Sequence, residues 1–404
     1  MLKEKSTSNY LENEDTAIVN HNAQASLVGP LPSREPLEFH RCLPGYSRTP
    51  LIQAPELAAK FHVGQVWVKD ESSRFGLPAF KILGASWAVY QALVKQRGGS
   101  IPSWNTFEDL KRIFSPLLPL TLVAATDGNH GRAVAHMAAL LGFEAHILVP
   151  QDMAEARIQA IQDEGAHVTI VHGTYDDAIK QSAREASPRH LVISDTAWTG
   201  YEDVPQWITD GYSTIFWEID DQLLDFGVDG VDVVAVQIGV GGLATTVVQH
   251  YRSSAISRKP KIVGVEPIKA ACMLESVRAN KIVAVPGPHD SIMAGLNCGV
   301  PSLTAWPVLS RGLDVLVAIE DDYAQQSMRA LAKAEVVAGE TGGAGLGGIM
   351  KLLSSSERQR ARDALNITNF THILVISTEG ATDLEAYRQI VGDLPFERAF
   401  EGVF

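Results

Sequence analysis

The stretch Val66–Trp67–Val68–Lys69–Asp70–Glu71–Ser72–Ser73–Arg74–Phe75–Gly76–Leu77–Pro78–Ala79–Phe80–Lys81 sets the architecture. Val66–Lys69 has the β-branched and aromatic character of a strand, and Gly76 and Pro78 then break any regular element. From Ile82 to Leu93 the chain turns to alanine and large apolar residues, a helical pattern. The unit is strand, loop, helix, with a lysine at the start of the helix.

From about Gln65 onward the same unit recurs. Strands are expected at Val66–Lys69, Leu122–Ala125, Ala145–Val149, His167–Val171, Leu191–Ser194, Asp232–Ile238, Lys261–Glu266, Leu313–Ile319 and His372–Ile376, most of them followed by a helical pattern. Alternation of this kind buries mostly parallel sheets between layers of helices, so the fold class is α/β. Nine strands exceed one comfortable sheet. The expected division is a small domain over 92–206, inserted into a large domain made of 41–91 plus 207–404, with a cleft between them. Residues 1–40 are expected to form a mobile tail. The stretches Gln96–Pro119 and Pro286–Leu303, rich in glycine and proline, are expected to be long loops.

Composition narrows the function. Of 404 residues, 34 are Lys or Arg and 47 are Asp or Glu, a net charge of −13, which argues against nucleic acid or an anionic membrane surface as partner. No apolar run of membrane-spanning length occurs, and the opening residues are too charged for a secretory signal. The cysteines Cys42, Cys272 and Cys298 have neither disulfide-scaffold number nor metal-ligand spacing, so a reducing cytoplasm is expected and a metal is not. Chemistry on a small molecule is the remaining class.

Several strand ends carry chemical features. Lys81 begins a helix with no room for a solvated face, so its amine is expected to be buried and either neutral or covalently engaged; a surface lysine lying over Phe80 is the plain alternative. Ala124–Arg132 contains Thr126, Asp127, Gly128 and Asn129 at a strand-to-helix junction, where backbone N–H groups suit a carboxylate or where a side chain simply caps the helix. Gly239–Val240–Gly241–Gly242–Leu243 fits neither a dinucleotide fingerprint nor a Walker loop, and suits a small cofactor phosphate or close helix–strand packing. Gly339–Gly348, containing Glu340, is too glycine-rich for a helix chosen on propensity, so something must approach that backbone closely. Ser377 and Thr378 close the last strand with hydroxyls that could meet a ring nitrogen or cap the next helix.

Taken in order, these features resemble the fold type II pyridoxal-phosphate enzymes, the tryptophan synthase β-like group. DESSRFGLPAFKILGAS (70–86), ATDGNHGRAVA (125–135), DTAWTGYEDVPQWITDGY (195–212), GVGGLATT (239–246), SIMAGLNCG (291–299), GETGGAGLGG (339–348) and ISTEGATD (376–383) are similar to the diaminopropionate ammonia-lyase family. The resemblance implies two open, twisted, mostly parallel sheets flanked by helices, with the active site in the interdomain cleft. It implies pyridoxal 5′-phosphate as cofactor and elimination of ammonia from 2,3-diaminopropionate through aminoacrylate to pyruvate and two ammonia. Lys81 would hold the cofactor and act as α-proton base. Asn129 would stand beside the cofactor hydroxyl, Gly239, Val240, Gly241, Gly242 and Leu243 around the phosphate, Ser377 or Thr378 at the ring nitrogen, and Glu340 near the ring. Thr126, Asp127 and Asp195 would bind substrate, and the two aspartates would exchange protons with its distal amine. Relatives also imply a homodimer, and in some a cysteine pair where Cys272 and Cys298 stand here. A dehydratase or β-replacement enzyme for serine, threonine or hydroxyaspartate is the nearest alternative. A cofactor-holding regulatory protein without turnover is the alternative outside enzymology, against which Lys81 and both aspartates argue.

Overall fold

The computed structural model describes residues 16–26, 31–126, 128–173, 175–354 and 358–392. Among them are strands β1 (Ala17–Val19), β2 (Leu51–Gln53), β3 (Gln65–Asp70), β4 (Thr121–Ala125), β5 (Glu144–Pro150), β6 (His167–Val171), β7 (His190–Val192), β8 (Val233–Gln237), β9 (Lys261–Pro267), β10 (Val315–Ile319) and β11 (His372–Ser377). They form a seven-stranded sheet in the order β1-β10-β9-β8-β11-β3-β2 and a four-stranded sheet in the order β6-β5-β4-β7. The small sheet is wholly parallel. In the large one only the edge pairs, β1 with β10 and β2 with β3, run antiparallel. Inner strands such as β8 (VVAVQ) and β10 (VLVAI) are buried at every position, as strands covered by helices on both faces must be.

All nine expected strands are present, and the two additional ones are three-residue edges. β1 corrects part of the mobile-tail expectation: Ala17–Val19 pair with Val317–Val315, and the buried Asn20 side chain donates to the Leu313 carbonyl at 2.8 Å. The helix Glu35–Arg41 is held as well, with Leu37 and His40 fully buried.

The small sheet comes entirely from within 92–206, yet both limits of that block fall inside helices, Lys81–Gln96 and Asp203–Asp225. These two helices cross where glycines allow it. A Cβ on Gly84 would come within 2.8 Å of the Ile208 carbonyl oxygen, and one on Gly211 within 2.9 Å of the Gly84 Cα. His40 is wedged beside this crossing, with Nδ1 2.7 Å from Thr214 Oγ1 and Nε2 3.0 Å from the Leu83 carbonyl.

Two further expectations change. Gln96–Pro119 is not a bare loop, because Phe107–Phe114 is a helix opened by a capping box in which Thr106 and Asp109 bond each other's backbone N–H. The glycines of 339–348 lead into a real helix, Ala344–Ser354, and serve close packing there: a Cβ on Gly347 would lie 3.1 Å from the Tyr323 carbonyl. Pro286–Leu303 does remain largely irregular, apart from a 3₁₀ turn at Ala294–Leu296.

Candidate active site

The C-terminal ends of β3, β4, β8 and β11 deliver the residues that line one cleft, as the rule for open parallel sheets requires. Lys81 follows β3, Asn129 follows β4, Gly239–Leu243 follow β8, and Thr378 and Glu379 follow β11; all of these line it. The helix Asp203–Asp225 adds Pro205, Ile208, Thr209 and Tyr212 as a wall. The irregular segment before the helix Trp306–Gly312 adds Gly295, Leu296 and Cys298.

Lys81 is the first residue of its helix, and its side chain is 25% exposed instead of buried. Nζ donates to Asp195 Oδ2 at 2.9 Å. A helix N-terminus disfavours a cation, and the carboxylate offsets that. The Asp195 side chain is 9% exposed, and its desolvation would raise its pKa, but the charges of Lys81 and His130 and hydrogen bonds from Lys81 and Tyr175 hold it well below the usual carboxylate range. Tyr175 Oη donates to its other oxygen at 3.2 Å. Tyr212 is fully buried in the wall, and burial pushes its phenol up to about 12.

Asn129 Nδ2 donates to Glu379 Oε2 at 2.5 Å, a contact that the sequence alone does not announce. Glu379 is 5% exposed, and burial drives its carboxyl upward, with Arg157 opposing that. Gln237 is the second unanticipated residue. Its Nε2 donates to the carbonyls of Thr341, Gly342 and Ile376 and, at 2.8 Å, to Thr378 Oγ1. A signal for it existed, since Gln237 is a polar residue ending an otherwise apolar strand.

The other expected site residues divide. Thr378 lines the cleft, whereas Ser377 lies behind it, its buried Oγ without a hydrogen-bond partner among the described residues. Thr126 is fully buried and does not line the cleft; its Oγ1 accepts from the N–H groups of Gly128 and Gly131 at 2.9 and 3.0 Å and so caps the turn. Glu340 is buried beside the cleft, but Thr341 is the residue that lines it. Asp127 lies outside the described residues. Neither Cys272 nor Cys298 is in a disulfide; the first is buried near Glu266 and the second lines the cleft.

The glycine loop is built for an anion. Gly241, at φ +109, is the residue before the helix Gly242–Tyr251 and has no side chain to cap it, so the first N–H groups of that helix are left for another acceptor. A Cβ on Gly242, which lines the cleft, would meet only ordinary contacts, Tyr212 Cε2 at 3.6 Å and Thr209 Oγ1 at 3.9 Å. By contrast, the approach to Gly239 is taken by the Gly295 carbonyl, 2.9 Å from a notional Cβ. A single primary amine, an uncapped helix start and a threonine hydroxyl across the cleft match an aldehyde, a phosphate and a ring nitrogen.

Residues 42–368 match the family of pyridoxal-phosphate dependent enzymes. Diaminopropionate ammonia-lyase of Escherichia coli K12 is 35% identical over 396 residues, covering 96% of each chain. That of Salmonella typhimurium is 35% identical over 380 residues, 91% of this chain and 94% of that one. The crystal structure of the E. coli enzyme in complex with D-serine superposes with a TM-score of 0.85 at 33% identity, over 96% of this chain and 98% of that one. The chain therefore belongs to the pyridoxal-phosphate-dependent enzymes of fold type II and, within them, to the diaminopropionate ammonia-lyase family. Its cofactor is pyridoxal 5′-phosphate.

Proposed function

We propose that the protein eliminates ammonia from 2,3-diaminopropionate, releasing aminoacrylate that hydrolyses to pyruvate and a second ammonia. The observation that carries this reading is the 2.9 Å pair of Lys81 Nζ and Asp195 Oδ2 in the same cleft as the uncapped glycine loop. The cofactor, when bound, supplies the aldehyde that captures amines and the ring that acidifies the substrate α-carbon.

The chain's own residues do the rest. N–H groups of Gly239–Leu243 would hold the phosphate, Thr378 the ring nitrogen, and Asn129, steadied by Glu379, the ring hydroxyl. Lys81 Nζ would hold the cofactor's aldehyde carbon and, as the free amine, would accept the substrate α-proton. Asp195, beside that amine, attracts the distal amine of the substrate as its ammonium, the form from which ammonia can depart. Asp127 is the second acid in this reading. A neutral hydroxyl opposite the ring nitrogen favours rapid loss of the β-substituent over a long-lived carbanion. We propose a two-fold homodimer as the assembly, and 92–206 as the small unit.

The test is stoichiometric. Purified, cofactor-loaded protein supplied with diaminopropionate should yield two ammonia per pyruvate. One ammonia per pyruvate from serine, with no turnover of diaminopropionate, would replace this reading with a dehydratase.

A further inference from the structure

Four charged side chains lie in the interior away from the cleft lining: Lys69, Glu71, Arg74 and Glu218, each no more than 1% exposed. Their charges cancel, and their polar atoms are densely paired. Arg74 Nε donates to Glu71 Oε2 at 2.8 Å, Nη1 to Glu218 Oε1 at 2.8 Å and to the Ser47 carbonyl at 3.0 Å. Its Nη2 reaches Glu71 Oε1, Glu218 Oε2 and Thr49 Oγ1 at 2.6, 2.8 and 2.9 Å. Lys69 Nζ completes the set with Glu218 Oε2 at 2.8 Å and Gln222 Oε1 at 2.9 Å.

The cluster joins two elements that meet again at the cleft. Arg74 sits in the tight turn Arg74–Leu77, closed by reciprocal backbone bonds of 2.8 and 2.9 Å, on the loop that ends at Lys81. Glu218 sits on the helix that carries Ile208, Thr209 and Tyr212 into the cleft wall. The far end of the loop is tied separately, Phe80 N–H to the Thr378 carbonyl at 3.2 Å and Gly380 N–H to the Pro78 carbonyl at 2.8 Å. Apolar residues of similar volume would hold such an interior together at least as well, because desolvation of buried ions offsets much of their attraction. What a forked guanidinium between two carboxylates adds is direction.

We propose that Arg74, through Glu71 and Glu218, is a positioning residue for Lys81: it fixes the loop 71–80 against the helix 203–225, so that Nζ meets both Asp195 and the cofactor aldehyde in one geometry. The proposal rests on the reading that Lys81 holds the cofactor.

The experiment compares cofactor-loaded wild type with the double variant Lys69→Met/Glu218→Leu, which removes the tie to the helix and leaves Arg74 paired with Glu71. Thermal unfolding reports the fold, and borohydride labelling with peptide mapping reports the site of cofactor attachment. The double variant should stay folded and labelled at Lys81. Its kcat should fall on the order of a hundredfold with KM little changed, and its visible absorbance should titrate at a shifted pH. Should the double variant not fold, Glu218→Gln, which keeps shape and hydrogen bonding, should show a smaller shift of the same titration and kcat. Wild-type kcat and wild-type titration in whichever variant folds would overturn the proposal alone. A wild-type label found on a residue other than Lys81 would overturn it together with the proposed function.

Discussion

Gln237 Nε2 donates to Thr378 Oγ1 over 2.8 Å, and the direction of that bond is fixed by its surroundings. Three backbone carbonyls accept from the same nitrogen, which identifies it as the amide NH₂. Thr378 must therefore accept there, and its own O–H is left to donate into the cleft. Thr378→Ser should keep most activity. Thr378→Val should lower kcat with little loss of stability, since the Gln237 amide keeps three carbonyl acceptors for its two N–H bonds. Steady-state kinetics and urea unfolding of the two variants check this.

Asp195 is held ionised chiefly by Lys81, against the upward pull of its burial. Asp195→Asn should retain the cofactor, since the phosphate loop is untouched, yet lose on the order of a hundredfold or more in kcat. Absorbance spectra and pyruvate release, measured on the same sample, separate the two effects.

Two adjacent glycines should respond differently. At Gly241, φ is +109 and a Cβ would lie 2.8 Å from Ala305 Cβ and 2.9 Å from Leu309 Cδ1, so Gly241→Ala should destabilise by about 1–3 kcal/mol. At Gly242 the nearest atom is at 3.6 Å, so Gly242→Ala should unfold close to the wild-type midpoint but bind cofactor more weakly, its methyl standing where the phosphate belongs. Calorimetry and cofactor titration read the two quantities independently.

His40 supplies a pH dependence. Burial first, and Arg74 second, lower its pKa from 6.5 to about 3. Between those values the unfolded chain binds a proton that the folded chain refuses, so stability falls as pH drops. The slope contributed is about 1.4 kcal/mol per pH unit at most. His40→Gln should be less stable throughout but should lose this contribution to the slope between about pH 6 and pH 4, which urea midpoints across that range would show.

Much of this is legible in the chain. Seven of the nine expected strands lie inside their sheets and announce themselves by apolar runs, the edge strands β6 and β7 only by β-branched residues, and Lys81, Asn129 and the glycine loop stand at strand ends where few other residues would serve. β1 and β2 are not legible, since three residues paired on one side carry too little pattern. Nor can the sequence place Lys81 in partial solvent contact: that comes from Asp195, 114 positions later, taking up its charge. Glu379 lies in plain view beside Ser377 and Thr378, but its partner Asn129 becomes visible only once β4 and β11 aim at one cleft. Thr126 reads two ways in the sequence, because a hydroxyl beside a glycine turn satisfies backbone N–H groups, as it does for Gly128 and Gly131, as readily as it meets a ligand.

The pairing of Ala17 with Val317 sets an order of events during synthesis. The first strand of the large sheet leaves the ribosome long before its partner exists, and at roughly 5–20 residues per second the wait is on the order of 15–60 s. Through that interval the earlier segment has no edge to join, so one outer seam of the sheet is sewn from two segments made about 300 residues apart.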